Sequence, residues 1–428
     1  EIYMVLFQYA VVVSVLHDER STQSLLGKFK ITLAEQGGEE QALNATNLVD
    51  RKPELPLFIF VLTGGTEAEA MKKIAAERML ERKLPVVILA HSSHNSLPAS
   101  LEILAKIRQL GGNGSIVQAD TKGSFGAAGL RDIIAAATTI QAMHSVRIGV
   151  VGKPSDWLIA SSQGEAEVNS AWGAQLVEVP FSELTEEIER ARSISAPMAT
   201  GAAMREKAEF FKEANEADMR KSMDILEALR TIVRKRALNA LTLRCFDLVL
   251  QDGSTGCLAL SALADEGIDA GCEGDIPSII GLHWLRLLTG QIGWMANPSR
   301  ISVENTAQSA EMLIAHCTSP RSILTSYGLR SHFESGLGVA VAGIVPEGDV
   351  TLVRIGGARL DQVWCCGAWV NASPREEGLC RTQAVLSMPS EKADELLTKP
   401  LGNHLVMVHG NWCSRIEMYT KLSGTLSA

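Results

Sequence analysis

The sequence predicts an α/β protein: two Rossmann-like parallel-sheet domains followed by a C-terminal β-barrel-like domain. Three observations carry this expectation. Apolar runs alternate with helix-period segments over residues 1–145 and again over 146–330, the pattern of parallel sheets with helices on both faces. After residue 330 the texture changes to short β-type runs separated by Gly and Pro, which marks residues 331–428 as antiparallel or barrel-like. A length of 428 residues suits two or three domains of roughly 100–200 residues each.

The opening run Ile2–Leu16 is apolar but short and contains Gln8 and Tyr9. It reads as a buried strand rather than a signal peptide, because no small-residue cleavage site follows it. Leu57–Leu62 and Leu84–Ala90 are further strands, with helices Thr66–Arg82 and Pro98–Leu110 after them. Strand Ser115–Gln118 and helix Gly129–Ala142 close the first domain. In such sheets the loops after the strands gather on one edge, where ligands bind. The loops Thr63–Glu67 and His91–Ser96 belong there. The second domain opens with strand Val146–Val151 and the loop Gly152–Trp157. Strand Leu176–Val179, helix Ser182–Arg192 and a charged helical stretch over 204–236 follow. Then come strand Leu241–Phe246, helix Gly253–Glu266, strand Ala270–Cys272, helix Pro277–Leu288 and strands Gln291–Ala296 and Met312–Cys317. The third domain is expected to be built from Gly338–Ile344, Asp349–Ile355, Gln362–Trp369, Thr382–Met388 and His404–His409.

Composition excludes several functions. The net charge of −9 argues against a nucleic-acid or anionic-membrane surface, both of which need clustered Lys and Arg. No run approaches the ~20 apolar residues of a membrane span. All eight cysteines lie after residue 244, with no CxxC, so they read as reduced, mostly buried thiols of a cytoplasmic protein rather than a disulfide framework.

Chemistry concentrates at Gly271-Cys272-Glu273-Gly274-Asp275. Asp275 suits the cap of the next helix, Pro277 its first turn and Gly290 its end. Glu273 and Asp275 therefore sit between the end of a strand and the positive end of a helix. Asn297 ends a later strand 24 positions after Glu273, and His316 ends the one after that. If these strands are neighbours in the central sheet, the side chains converge on one edge and can share a divalent ion.

The segments Ala270–Asp275, Leu288-Thr289-Gly290 and Trp294–Asn297 resemble the L-fucose isomerase and L-arabinose isomerase superfamily, closest to the shorter L-fucose isomerase-related proteins. Further phrases are similar to that subgroup: Pro154–Ala160, Arg244–Asp247, Ala315–Cys317, Ser331–Gly336, Leu379–Gln383 and Pro400–His404. The resemblance implies two α/β domains and a β-barrel, and an aldose–ketose isomerase acting on a small sugar through an enediolate. It implies a divalent cation, Mn²⁺ or another such as Mg²⁺, and a homo-oligomer, trimer or hexamer, with sites near subunit interfaces. Carried over by position, Glu273 is ligand and acid/base, His404 is a ligand from the last domain, and His316 is similar to a second metal histidine. Asn297 stands where L-fucose isomerases carry an aspartate that is ligand and second acid/base. An amide oxygen can bind a cation but cannot exchange a proton near neutral pH. Asp275, Asp247 or Glu334 would then supply the missing proton chemistry, or a water would; alternatively the site is diverted or binds sugar without turnover. Ser155, Trp157 and Glu334 are candidate substrate contacts. Glu67 and Asn95 are candidates from the first domain, whose loops in the related isomerases complete a neighbouring subunit's site. A nucleophilic cysteine enzyme is disfavoured, because the charge of Glu273 raises the adjacent Cys272 thiol.

Overall fold

The structure is a computed structural model and describes residues 5–41, 51–120, 122–194, 199–303 and 308–427. The chain forms two compact units, one of residues 1–143 with 414–425 and one of residues 144–413 with 426–428. The expected α/β-plus-barrel architecture is found.

The first unit holds a five-stranded, wholly parallel sheet in the order Gly38–Glu40, Phe7–Val12, Leu57–Val61, Val86–Ala90, Gly114–Gln118. The three middle strands are buried along their whole length, which is why they read as unbroken apolar runs. The opening strand is shorter than expected, and residues 2–4 lie outside the described residues. The helix expected over Thr66–Arg82 is confined to Glu67–Ala76. Arg78 and Lys83 adopt left-handed backbone conformations just beyond it, which a continuing helix of L-residues does not tolerate.

The second unit contains a four-stranded parallel sheet and a β-barrel. The sheet runs Gln175–Val179, Arg147–Val151, Ala240–Leu243, Asp269–Cys272. The charged stretch over 204–236 is two helices, Ala199–Lys207 and Glu216–Arg236. Asn215 starts the second by accepting from the Ala217 and Asp218 amides, a side-chain cap for otherwise unpaired donors.

The barrel closes through six antiparallel strands: Trp294–Ser302, Ser309–His316, Thr382–Pro389, Gln362–Ala372, Gly348–Gly356 and Leu405–His409. Each pairs with the next, and Leu405–His409 returns to Trp294–Ser302. Alternate residues fill its interior, among them Trp294, Met312, Leu352, Trp364, Leu386 and Met407, as the two-residue side-chain period requires. A hairpin of Ser326–Arg330 and Ala340–Ile344 attaches at its side.

The structure corrects one topological expectation. The strand bearing Asn297 and the strand ending at His316 are barrel strands, not members of the central sheet, which ends at Asp269–Cys272. The barrel therefore begins at Trp294, well before residue 331. The strand Trp294–Ser302 turns polar and exposed after Ala296, which a central parallel strand buried on both faces would not do.

Candidate metal centre

The site is built where the last strand of the parallel sheet meets the following helix. Glu273 follows that strand and has φ +63°, in the left-handed region. Gly274, at φ +74°, continues the turn, and a Cβ there would lie 2.7 Å from Pro154 Cα. Only glycine lets the backbone of the loop after Val151 come this close. Asp275 then caps helix Ile276–Thr289 by accepting from the Ser278 amide at 2.7 Å, and Gly290 ends that helix with φ +74°.

Glu273, His316 and His404 converge, with their ligand atoms within 4.8 Å of one another. Glu273 comes from the sheet edge, His316 from the end of one barrel strand and His404 from just before another. The two imidazoles have ring centroids 5.4 Å apart. His404 is fully buried. Its Nδ1 meets the Asp275 carboxylate at 2.9 Å, while Nε2 lies 3.7 Å from Glu273 Oε1 and has no hydrogen-bond partner among the described residues. A buried imidazole nitrogen facing a carboxylate across 3.7 Å, with its other nitrogen held by a second carboxylate, is an arrangement that could hold a cation. On His316, Thr318 occupies Nδ1 at 2.8 Å, which leaves Nε2 to face the cluster.

Electrostatics keep the three groups in different states. Burial alone would push His404 down, but Asp275 and Glu273 outweigh it and raise the imidazole to about 9. Burial, reinforced by His404, drives His316 down to about 3. Burial would raise the Glu273 carboxyl, yet the facing His404 imidazole, then the Trp157 N–H, hold it below the usual carboxylate range. At neutral pH the three side chains are thus an ionised carboxylate, an imidazolium and a neutral imidazole.

Asp275 is fully buried, and its oxygens are already engaged by Arg354, His404 and the helix amide. Burial is outweighed by Arg354 and His404, so the carboxyl lies far below its usual range. With both oxygens engaged it is placed to brace an imidazole, where a free catalytic acid/base was expected.

The other expected residues divide. Trp157 donates its indole N–H to Glu273 Oε2 at 2.6 Å and packs edge-on against Phe246. The Ser155 amide donates to the Glu273 carbonyl at 2.8 Å, so both grip the carboxylate's own residue. Asp247 instead accepts from Arg244 at 2.9 Å, and Arg244 holds Asp156 and the Pro154 carbonyl. Glu334 is exposed and outside the cluster. Glu67 and Asn95 lie in the first unit, at the starts of helices Glu67–Ala76 and Ser96–Gln109 on the carboxyl edge of its sheet. Asn297 pairs with Ala315, next to His316. It shares a strand face with Met295, whose sulfur accepts from the Cys272 amide at 3.1 Å, so that face is the one turned toward Glu273.

Two residues escaped the sequence reading. Arg354 lies within Gly348–Gly356 and reaches Asp275, Ser278 and Ser161. His332 is nearly buried and packs edge-on against Phe246, the same ring that supports Trp157. A lone arginine in the apolar run Leu352–Ile355 was the available signal for the first, since a buried charge must find a partner.

No family model matches the chain. It is similar to sugar isomerases. A sulfoquinovose isomerase of Alkalicoccus urumqiensis is 25% identical over 228 residues, which cover 51% of this chain and 49% of that protein. Sulfoquinovose isomerases of Priestia aryabhattai and Priestia megaterium are each 27% identical over 164 residues, 35% of this chain and 34% of theirs. The chain thus spans about half or less of the length of the curated relatives it matches.

Proposed function

We propose that the protein is a metal-dependent aldose–ketose isomerase of the L-fucose isomerase type, acting on a small sugar through an enediolate. The observation that carries this reading is the convergence of Glu273, His316 and His404 around the unpaired His404 Nε2. The similarity to sulfoquinovose isomerases supports the same class of reaction. Two imidazoles, one carboxylate and the amide oxygen of Asn297 suit Mn²⁺ better than Mg²⁺, which prefers an all-oxygen set. When bound, the cation polarises two neighbouring oxygens of the open-chain sugar.

The chain's own residues do the rest. Glu273 removes the proton from the carbon beside the carbonyl and returns it to the adjacent carbon, while the hydroxyl proton of the first carbon passes to the former carbonyl oxygen through water. One carboxylate serves both positions when they present the same face, so the amide at Asn297 does not forbid turnover. Trp157 fixes Oε2 and leaves Oε1 toward His404. Asp275, fixed by Arg354, holds the Nδ1 side of His404 so that Nε2 faces inward.

The deciding experiment is solvent exchange. With Mn²⁺ and a panel of aldoses and ketoses in D₂O, deuterium enters the carbon beside the carbonyl of the true substrate. Sugar-dependent thermal stabilisation without any exchange identifies a binder instead.

Cation binding is expected to release about one proton per ion at pH 7. The proton comes from His404, which is held up to about 9, while His316 is already neutral and Glu273 already ionised. Protons compete below that value, so Mn²⁺ affinity rises roughly tenfold per pH unit from 7 toward 9 and then levels. Calorimetry in buffers of different ionisation enthalpy measures the proton count. Asn297→Asp adds a full negative charge beside the ion and is expected to tighten Mn²⁺ roughly tenfold, while exchange activity holds or rises. Loss of Mn²⁺ binding in that variant overturns the assignment of Asn297.

A further inference from the structure

Eight thiols are present, and several pair in space. Cys245 and Cys272 have sulfurs 2.9 Å apart but are both buried. Cys317 and Cys380 are neighbours, and Cys317 is buried. Cys365 and Cys413 differ from these: their sulfurs lie 3.7 Å apart and both residues are partly exposed.

Chain geometry makes that third pair. Cys365 projects outward from barrel strand Gln362–Ala372, because its neighbours Trp364 and Cys366 fill the interior. Gly367, two residues on and on the same outward face, has no side chain, and a Cβ there would sit 3.5 Å from Cys413 Sγ. The Cys413 sulfur therefore rests on bare strand beside Cys365. Cys413 also opens the 11-residue helix Cys413–Ser423, whose first turn favours an anion. Contact with the Cys365 thiol, then the helix backbone, the Thr351 hydroxyl and the charge of Lys392, brings the Cys413 thiol down to about 7 despite partial burial. Cys272 is pushed the other way by Cys245 and burial.

We propose that Cys413 and Cys365 form a thiol-oxidation site, in which Cys413 reduces a small hydroperoxide and Cys365 resolves the product as a reversible disulfide. The Cys413 thiolate attacks the terminal peroxide oxygen. An S–O bond forms, the O–O bond breaks, and the leaving oxygen takes up a proton as water or an alcohol. The Cys365 sulfur, losing its proton, then attacks the sulfenic sulfur of Cys413. The S–S bond forms, the S–O bond breaks, and hydroxide leaves with that proton as water. Two thiols give up two electrons and the peroxide accepts them.

The test uses the full chain, hydrogen peroxide at one to two equivalents, rapid thiol blocking and peptide mass mapping. A Cys365–Cys413 linked peptide is expected first, with two of the eight thiols lost and both restored by dithiothreitol. Cys365→Ser is expected to leave a Cys413 sulfenic acid that a 1,3-diketone reagent traps. Cys413→Ser is expected to give no linked peptide. Without peroxide, iodoacetamide at pH 7.5 should label Cys413 at least tenfold faster than Cys366. First oxidation at Cys245–Cys272 or Cys317–Cys380, or equal labelling of Cys413 and Cys366, overturns the proposal. The wild-type arms need no variant, so a misfolded serine variant does not shield it.

Discussion

Glu273→Gln is expected to cut solvent-deuterium exchange by about 1,000-fold, the scale of a lost general acid–base group, without unfolding the chain. The amide keeps the shape and a hydrogen-bond acceptor for Trp157, but it has no proton to trade near neutral pH. A companion variant separates chemistry from backbone. Glu273 stands at φ +63°, where an L-residue costs about 1–2 kcal/mol relative to an unstrained position and glycine does not. Both variants remove the same charge, so Glu273→Gly should melt above Glu273→Gln while being equally inactive. Strain retained at a residue is expected where its side chain has a task. Exchange surviving in Glu273→Gln would end the assignment of this carboxylate as the base.

Arg354→Met is expected to destabilise the second unit by about 3–5 kcal/mol, because it takes from the buried Asp275 carboxylate one of its two cationic partners and leaves only His404. Arg354 and Asp275 are 1% and 0% exposed, so water cannot replace the lost partner. All seven tryptophans lie between residues 157 and 412, so their fluorescence during urea unfolding reports this unit alone. The pH dependence follows from the carboxyl's position far below its usual range. In the wild type its contribution is complete above the unfolded value near ~4 and lost only as pH falls toward the folded one. In the variant the lowering by Arg354 is lost while His404 and the Ser278 amide remain, so the carboxyl moves up toward its usual range. The difference between the two proteins should therefore be largest at neutral pH and narrow in acid. Arg354→Met with Asp275→Asn should recover part of the loss, since neither charge then remains. A cost within 0.5 kcal/mol for the single variant would mean that the pair carries little.

Much of this was legible in the residues. Asp275, Pro277 and Gly290 announced a helix within a residue or two of Ile276–Thr289, because caps and stops act locally. Glu273, His316 and His404 were nominated from separate segments, and the fold brings them together. What could not be read was which sheet each strand joins. Trp294–Ala296 is apolar enough for either the parallel sheet or the barrel, and pairing partners are settled by contacts distant in sequence. Asp275 was legible as a cap but not as a brace for His404, because that second use depends on Arg354 and His404 arriving from the barrel. Asp247 and Glu334 fit the chemistry by type alone. The structure turns one to Arg244 and leaves the other exposed.

One carboxylate at the start of helix Ile276–Thr289 thus has two jobs: one oxygen anchors the first-turn amide of Ser278, the other steadies an imidazole. Fraying at that terminus would swing the ring away, and seating an ion on the ring would in turn suppress fraying. Manganese should therefore slow hydrogen–deuterium exchange at Ser278 and its neighbours, making the helix end a built-in gauge of whether the protein is charged with metal.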